Sequence, residues 1–432
     1  MKYQRYPKYK DGGIGWIGEI PEHWDVTRAR WLFREINERS TNGDETLLSV
    51  SEYYGVKPRK DVIDPGDFIT NAASLEGYKK CQKNDLVMNI MLAWKGALGI
   101  TDYDGIVSPS YNVYRPLKPR DAKYFHYLFR TKVYADIFRN NSTGIIDSRL
   151  RLYPDSFASV KVIRPPLEDQ ISICKFLDVQ LRRVEELTHS HEKMIRLLKQ
   201  KRQAIITHAV TKGLDPNVPM KDSRIEWIGE IPANWNIKRL KYAAQLVTEK
   251  SRQYAKRVAL ENVESWSGRY INTETKFEGE GVEFREGDVL FGKLRPYLAK
   301  VYKAEFSGSA VGEFFVLRPY FDIDSDFLSA LLLNREFINL VDGSTYGAKM
   351  PRVDWEFMGN LLLAIPPTTE QRNIFEIIDA KTSKIDYLIS KQQQMIELLQ
   401  EHKTSLISQA VTGKIDVRSL SQEVKETAGQ TP

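Results

Sequence analysis

The sequence predicts an α+β protein: two mixed α/β domains, related by a pseudo-two-fold axis and separated by a long antiparallel coiled coil of two helices. Three observations carry that expectation. The stretch WIGEIPEHW at 16–24 returns as WIGEIPANW at 227–235. Further matches between the two halves keep their order along the chain. Two segments, 170–210 and 371–411, run without Pro or Gly.

The repeat is larger than its most visible words. Trp16, Pro21 and Trp24 match Trp227, Pro232 and Trp235 at an offset of 211. VYRP at 113–116 matches VLRP at 316–319, and Gly144 and Arg149 match Gly347 and Arg352, at an offset of 203. IRPPLEDQ at 163–170 matches AIPPTTEQ at 364–371, and HAVTKGLD at 208–215 matches QAVTGKID at 409–416, at 201. Order is kept while small insertions shift the spacing, so the chain is a tandem duplication. The first WIGEIP copy stands near the N-terminus and the second directly follows the first well-matched segment. This circular pattern gives each half the same role on opposite sides of a pseudo-dyad.

The Pro- and Gly-free segments read as helices, each started by a PP pair and stopped by TKGLDP or TGKID. Roughly 40 helical residues span about 60 Å. Apolar residues recur at steps of three and four, which argues a coiled coil. The expected seam is Val184, Leu187, Met194, Leu198 and Ile205, matched by Ile385, Leu388, Met395, Leu399 and Leu406. His191/Gln392, Lys201/His402 and His208/Gln409 break it at the same places in both copies. Off-seam Ile195, Ile206, Ile396 and Ile407 widen the stripe enough to suit a helical partner.

The intervening segments, 25–164 and 236–365, alternate short β-rich runs (DLVMNIML at 85–92, DVLFGKL at 288–294, FFVLRP at 314–319) with Gly- and Asp-bearing turns. Helical patches follow at 122–130 and 326–333. The expected division is a first domain over 1–165, a helix over 166–213, a second domain over 214–366, a second helix over 367–416, and a disordered tail over 417–432.

Composition sets limits. A net charge of +6 permits a nucleic-acid partner without requiring one. Two cysteines, Cys81 and Cys174, cannot build a disulfide framework or a four-Cys zinc site, so a reducing cytoplasm is expected. No apolar leader and no run of 18 apolar residues occurs, so neither secretion nor a membrane partner is expected.

Catalytic motifs fail one after another. GDVLFGKL at 287–294 has the glycine and lysine spacing of a phosphate loop, but Leu294 stands where a magnesium-binding Ser or Thr is needed. GGIG at 12–15 lacks the strand and helix of a cofactor turn. RPPL and IPPT share only their prolines with the Asn-Pro-Pro-aromatic motif of amino-methyltransferases. The chain is expected to catalyse nothing alone.

The duplicated WIGEIPxxW, the PPxxEQ-type helix starts and the AVTKGLDP helix end together resemble the specificity subunit of type I restriction-modification systems. The resemblance covers nearly the whole chain. It departs at PPLEDQ in the first helix start, and at Gly15 where the second copy has Glu226. It implies that each divergent segment is a target-recognition domain reading one half of a bipartite double-stranded DNA sequence. It further implies that the helices set the spacer and dock two methyltransferase subunits, and that motor-nuclease subunits join for cleavage. S-adenosylmethionine, ATP and magnesium then belong to those partners, and this chain binds no cofactor. The alternatives are a coiled-coil protein-interaction scaffold and a self-contained DNA methyltransferase-nuclease.

Base edges and phosphates are read by basic, amide and aromatic side chains. Candidates in the first domain are Tyr53, Tyr54, Lys57, Arg59, Arg149 and Arg151. In the second they are Trp266, Arg269, Lys293, Arg295, Tyr297, Lys349 and Arg352, with Arg149 and Arg352 equivalent. The four repeat tryptophans, Trp16, Trp24, Trp227 and Trp235, are assigned to packing domain against helix.

Overall fold

Strand Tyr111–Pro116 pairs antiparallel with Leu86–Asn89, and Phe314–Pro319 pairs with Val289–Gly292 in the same register 203 positions later. The duplication is thus three-dimensional. In this computed structural model, residues 3–13, 15, 17–62, 74–118, 122–251, 256–273, 279–347 and 349–419 are described. Trp16 and tail residues 420–432 lie outside them.

Two compact units emerge. One takes the residues up to Ser190 together with those from Met395 onward, and the other is His191–Gln394. Each long helix, Leu167–Lys212 and Thr368–Val411, gives one half to each unit.

In the first unit a four-stranded antiparallel sheet runs Phe33–Ile36, Tyr111–Pro116, Leu86–Asn89, Leu98–Ile100. Helices Ala122–Phe129, Lys132–Asn140 and Pro154–Ser159 follow. Their aromatic rings, Phe125, Phe129, Tyr134, Phe138 and Phe157, pack with Phe33 and Tyr114 into one core. In the second unit the sheet is Ala244–Val247, Phe314–Pro319, Val289–Gly292, Val301–Lys303. Its helices are Ser325–Leu332, Arg335–Gly343 and Trp355–Asn360. Both central strands Leu86–Asn89 and Val289–Gly292 are buried at every residue, which explains their continuous apolar runs. Before each stands a buried aspartate held bidentate by an arginine of the neighbouring strand, Asp85 by Arg115 and Asp288 by Arg318, at 2.8–3.0 Å.

The long helices start directly after their prolines because a glutamine closes the turn. Gln170 donates its side-chain amide to the Pro165 carbonyl at 2.8 Å, and Gln371 donates to Pro366 at 2.9 Å. Glu168, Asp169 and Glu370 in the first turns complement the positive end of the helix. Each end is a left-handed glycine, Gly213 and Gly413, both at φ +73°.

Within the second unit the helix halves run antiparallel. His191 meets Gln392 at 2.6 Å while Arg202, eleven residues later, meets Asp386, six residues earlier. In the first unit Lys403 pairs with Glu185, the positions equivalent to Arg202 and Asp386.

The seam differs from its expected course at alternate steps. Val184, Leu198, Ile205, Ile385, Leu399 and Leu406 face inward, fully or partly buried. Leu187, Met194, Leu388 and Met395 are instead 44–50% exposed. Thr188, Ile195, Ile389 and Ile396 take those inward places. The covered stripe steps by four and then three, whereas the sequence offers apolar residues on both flanks of that course. The expected tail also starts too early, because Val417 is fully buried and Arg418 is bidentate to Asp416.

Candidate nucleic-acid interface

Each unit's recurrent frame is anchored by a tryptophan. Trp24, fully buried, donates its indole N–H to Asp169 at 2.8 Å, and Trp235, also fully buried, donates to Glu370 at 3.0 Å. His23 and Asn234 add a second contact to the same carboxylates. The same two stretches also meet the far end of the other long helix. Lys414 donates to the Glu19 carbonyl and Lys212 to the Glu230 carbonyl, while Pro21 and Trp24 pack on Gly413 as Pro232 and Trp235 pack on Gly213. One short motif therefore joins the start of one helix to the end of the other, within one unit each time. Trp227 is partly buried against Phe337.

In each unit two loops come together where strand Leu86–Asn89 or its counterpart Val289–Gly292 ends. In the first unit, Leu152 donates its amide to the Ile90 carbonyl at 2.9 Å and so ties the loop after Lys132–Asn140 to the loop carrying Ala93–Lys95. In the second, Val353 does the same to Lys293 at 3.1 Å, and Arg295 donates to Pro351 at 2.8 Å. Thr143 exchanges two backbone bonds with Arg151, and Tyr346 exchanges two with Arg352. The equivalent of Arg352 is therefore Arg151. Arg149, on its exposed 3₁₀ turn, is not, because the first loop holds two more residues between the bridged pair.

The candidate side chains divide sharply. Arg352 is bidentate to Glu313 at 3.1 and 2.8 Å, which holds the glutamate carboxyl below its ordinary range. Lys293 lies over the Phe315 ring. Arg295, Tyr297 and Lys349 are exposed beside them. Arg149 is likewise exposed, and Arg151 donates to the Leu150 carbonyl.

A second group sits on a turn at the side of each unit. Tyr53, 85% exposed, caps the turn between strands Leu48–Ser51 and Gly55–Pro58. Tyr54 bonds Ser49 at 2.9 Å with Lys57 over its ring, and Arg59 is half-buried in a 3₁₀ turn. Gly55 and Gly268, both left-handed, mark the equivalent turn of the second unit, which carries Trp266. Arg269 there is paired with Asp386 at 2.8 Å.

Three residues escaped the sequence reading. Trp94 is stacked under Arg139, 4.9 Å from its ring centre, and under Lys95 at 5.2 Å, with Arg139 paired to Asp147. The signal was present, because Trp94 stands 203 positions before Tyr297. Exposed guanidinium, ammonium and aromatic groups on two converging loops suit phosphate and base-edge contact. Among the described residues no cluster of His, Cys, Asp and Glu forms a metal site, and no helix is long and apolar enough to cross a membrane.

No family model matches the chain. Known proteins do. The EcoDI type I restriction enzyme specificity subunit of Escherichia coli is 23% identical over 352 residues, covering 76% of this chain and 78% of its own length. The MjaVIII type I specificity subunit of Methanocaldococcus jannaschii is 23% identical over 435 residues, 93% of this chain and 95% of its own. By both matches this chain is similar to the type I restriction enzyme specificity subunits. The second alignment spans both copies of the repeat, so the likeness extends over the whole frame of this chain. A chain solved in work on complex assembly and conformational transition of the type I R-M system has the same fold. Its TM-score is 0.65 at 15% identity, covering 91% of this chain and 98% of that one.

Proposed function

We propose that this chain is a specificity subunit that reads a bipartite double-stranded DNA target for a type I restriction-modification complex. Each unit's converging loops contact one half of the target. Arg149, Arg151, Trp94, Lys95 and Arg139 serve the first half, and Lys293, Arg295, Tyr297 and Lys349 serve the second. Arg352 holds its loop through Glu313. The long helices fix the number of unread base pairs between the halves. Their outward apolar residues, Leu187, Met194, Leu388 and Met395, dock two methyltransferase subunits, and motor-nuclease subunits join that assembly. S-adenosylmethionine, ATP and magnesium belong to those partners.

One observation carries the reading. The tryptophan anchor of the frame is repeated, in Trp24–Asp169 and Trp235–Glu370, while the loops the frame presents differ in almost every side chain. Identical frames suit identical partners docked twice, and dissimilar loops suit two dissimilar DNA sequences. Exchange of residues 25–164 for the matching segment of another specificity subunit tests it, by mapping methylated bases in cells that also carry the partner subunits. One half of the methylated motif changes and the other half and the spacing stay. A change in both halves, or in neither, overturns the proposal.

A further inference from the structure

The turns carrying Tyr53 and Trp266 are equivalent, yet they are held by different machinery. In the second unit Arg202, from the first long helix, reaches out of the helix pair. It donates to the Trp266 carbonyl at 2.7 Å and to the Ser267 carbonyl at 3.1 Å, and its Nε pairs with Asp386 at 3.1 Å. Arg269, leaving the turn, closes on the other oxygen of Asp386 at 2.8 Å. The side chains of Arg202 and Asp386 are 10% and 12% exposed, whereas Arg269 closes the cluster from the solvent side at 55%.

The turn it grips is strained. Trp266 has φ +65°, and its amide donates to the carbonyl of Ala299, at φ +46°, at 3.1 Å. Arg295, on the same loop as Ala299, has φ +52°. Non-glycine residues in the left-handed region persist where their surroundings over-determine them. Here three of them are linked through two loops, one of which carries the proposed reading residues Arg295 and Tyr297.

In the first unit the positions of Arg202 and Asp386 are filled by Lys403 and Glu185, 3.5 Å apart, and Val56 stands where the turn has Arg269. Thr404 and Thr131 replace the larger Gln203 and Asn334. A cleft of about 1240 Å³ opens there between the turn and the helix pair, lined by Tyr53, Lys57, Thr131, Lys403 and Thr404 among others. The turn is fixed from within its own domain, by Arg130. Its guanidinium donates to the carbonyls of Ser51, Glu52 and Tyr53 at 2.9–3.2 Å, and to Gly96 and Leu98 at 3.0 and 2.9 Å.

We infer that Arg202, with Asp386 and Arg269, is a positioning latch that sets the second unit's reading loops from the helix pair, whereas Arg130 sets the first unit's turn independently of the helices. The inference rests on the DNA-reading function proposed above. Lysine cannot replace Arg202, since one ammonium cannot span two carbonyls and a carboxylate in the planar fork geometry. Loosening the latch therefore blurs reading of one half of the target and spares the other.

The test uses the full chain assembled with its partner subunits in cells, with methylated bases mapped across the genome. For Arg202→Lys, discrimination in one half of the motif falls about tenfold, the scale of one well-read base pair, while the other half is unchanged. Arg269→Gln, at the exposed side of the latch, blurs the same half less and serves should Arg202→Lys fail to accumulate. Arg130→Lys blurs the opposite half. Equal loss in both halves from Arg202→Lys, or no change from both it and Arg269→Gln, overturns the latch. A wild-type chain that marks no bipartite sequence overturns the DNA-reading function instead. Hydrogen exchange on the purified full chain then decides the latch by itself. Arg202→Lys speeds exchange across 264–270 and leaves 51–55 as before, and unchanged exchange at 264–270 overturns it.

Discussion

Trp24 donates its buried indole N–H to Asp169, 145 residues away, at 2.8 Å. That bond fixes the entry of the first long helix, and its counterpart from Trp235 to Glu370 fixes the second. Trp24→Phe leaves Asp169 with His23 as its remaining side-chain partner and removes buried volume. The expected loss is about 2–4 kcal/mol, combining an unmade buried bond with a small cavity. Chemical denaturation measures it, and hydrogen exchange places the loss in the first unit. Trp235→Phe shifts it to the second.

The two helix-ending glycines differ in what surrounds them. Both sit at φ +73°, so alanine is strained at either. At Gly413 the new methyl also overlaps the ring of Pro21, which cannot move without the strand it belongs to. At Gly213 the nearest atom is a Glu370 carboxylate oxygen at 3.3 Å. Gly213→Ala is expected to cost about 1 kcal/mol and Gly413→Ala about 3 kcal/mol. Denaturation midpoints of the two variants give the order, and equal losses contradict it.

His126 gives the first unit an acid-sensitive element. Its ring fills the space beside Gly55 and Gly99, and its Nδ1 accepts the Ile100 amide at 3.3 Å. Burial, with Arg130 and Lys123 nearby and Asp178 opposing them, brings its pKa down to about 4. The unfolded chain, titrating near 6.5, binds the proton more readily, so the stability held above that pH is lost as pH falls toward 4. The loss is about 2–3 kcal/mol over that window. His126→Gln removes this component, which appears as the difference between the stability curves of the variant and the wild type from pH 7 to 4.

Leu187, Met194, Leu388 and Met395 sit on helix faces that the described residues leave partly uncovered. Leu187→Ser with Leu388→Ser changes the chain's own stability by less than about 1 kcal/mol. The same pair weakens capture of methyltransferase subunits by about 1–2 kcal/mol per side chain. Co-purification with the partner subunits, beside a melting curve of the isolated chain, separates the two effects.

Adding seven residues at matched positions of both long helices lengthens each by about 10 Å, the rise of about three base pairs. The unread spacer of the methylated motif grows accordingly, and both half-sites keep their bases. Altered half-sites rule out a ruler role for the helices.

Much of this was legible in the chain. The offsets of 211, 203 and 201 marked equivalent strands and helices residue for residue, because insertions between copies fall in loops where a frame tolerates them. Helix limits were legible because PP, Gln170 and Gln371, and Gly213 and Gly413 act within one or two turns of themselves. The seam was half legible. Apolar residues flank both sides of it, and only the facing helix selects Ile195 over Met194 and Ile396 over Met395.

How each charge is employed follows from contacts distant in the chain. Arg352, Arg269 and Arg295 look alike in sequence, yet one neutralises Glu313, one closes on Asp386 and one stands exposed. A carboxylate 39 or 117 positions away makes the difference. The duplication, the helices and their caps can be read from the residues alone, because they depend on near neighbours and on periodicity. Which basic groups remain available to a partner depends on partners distant in the chain, and folding alone brings them within 3 Å.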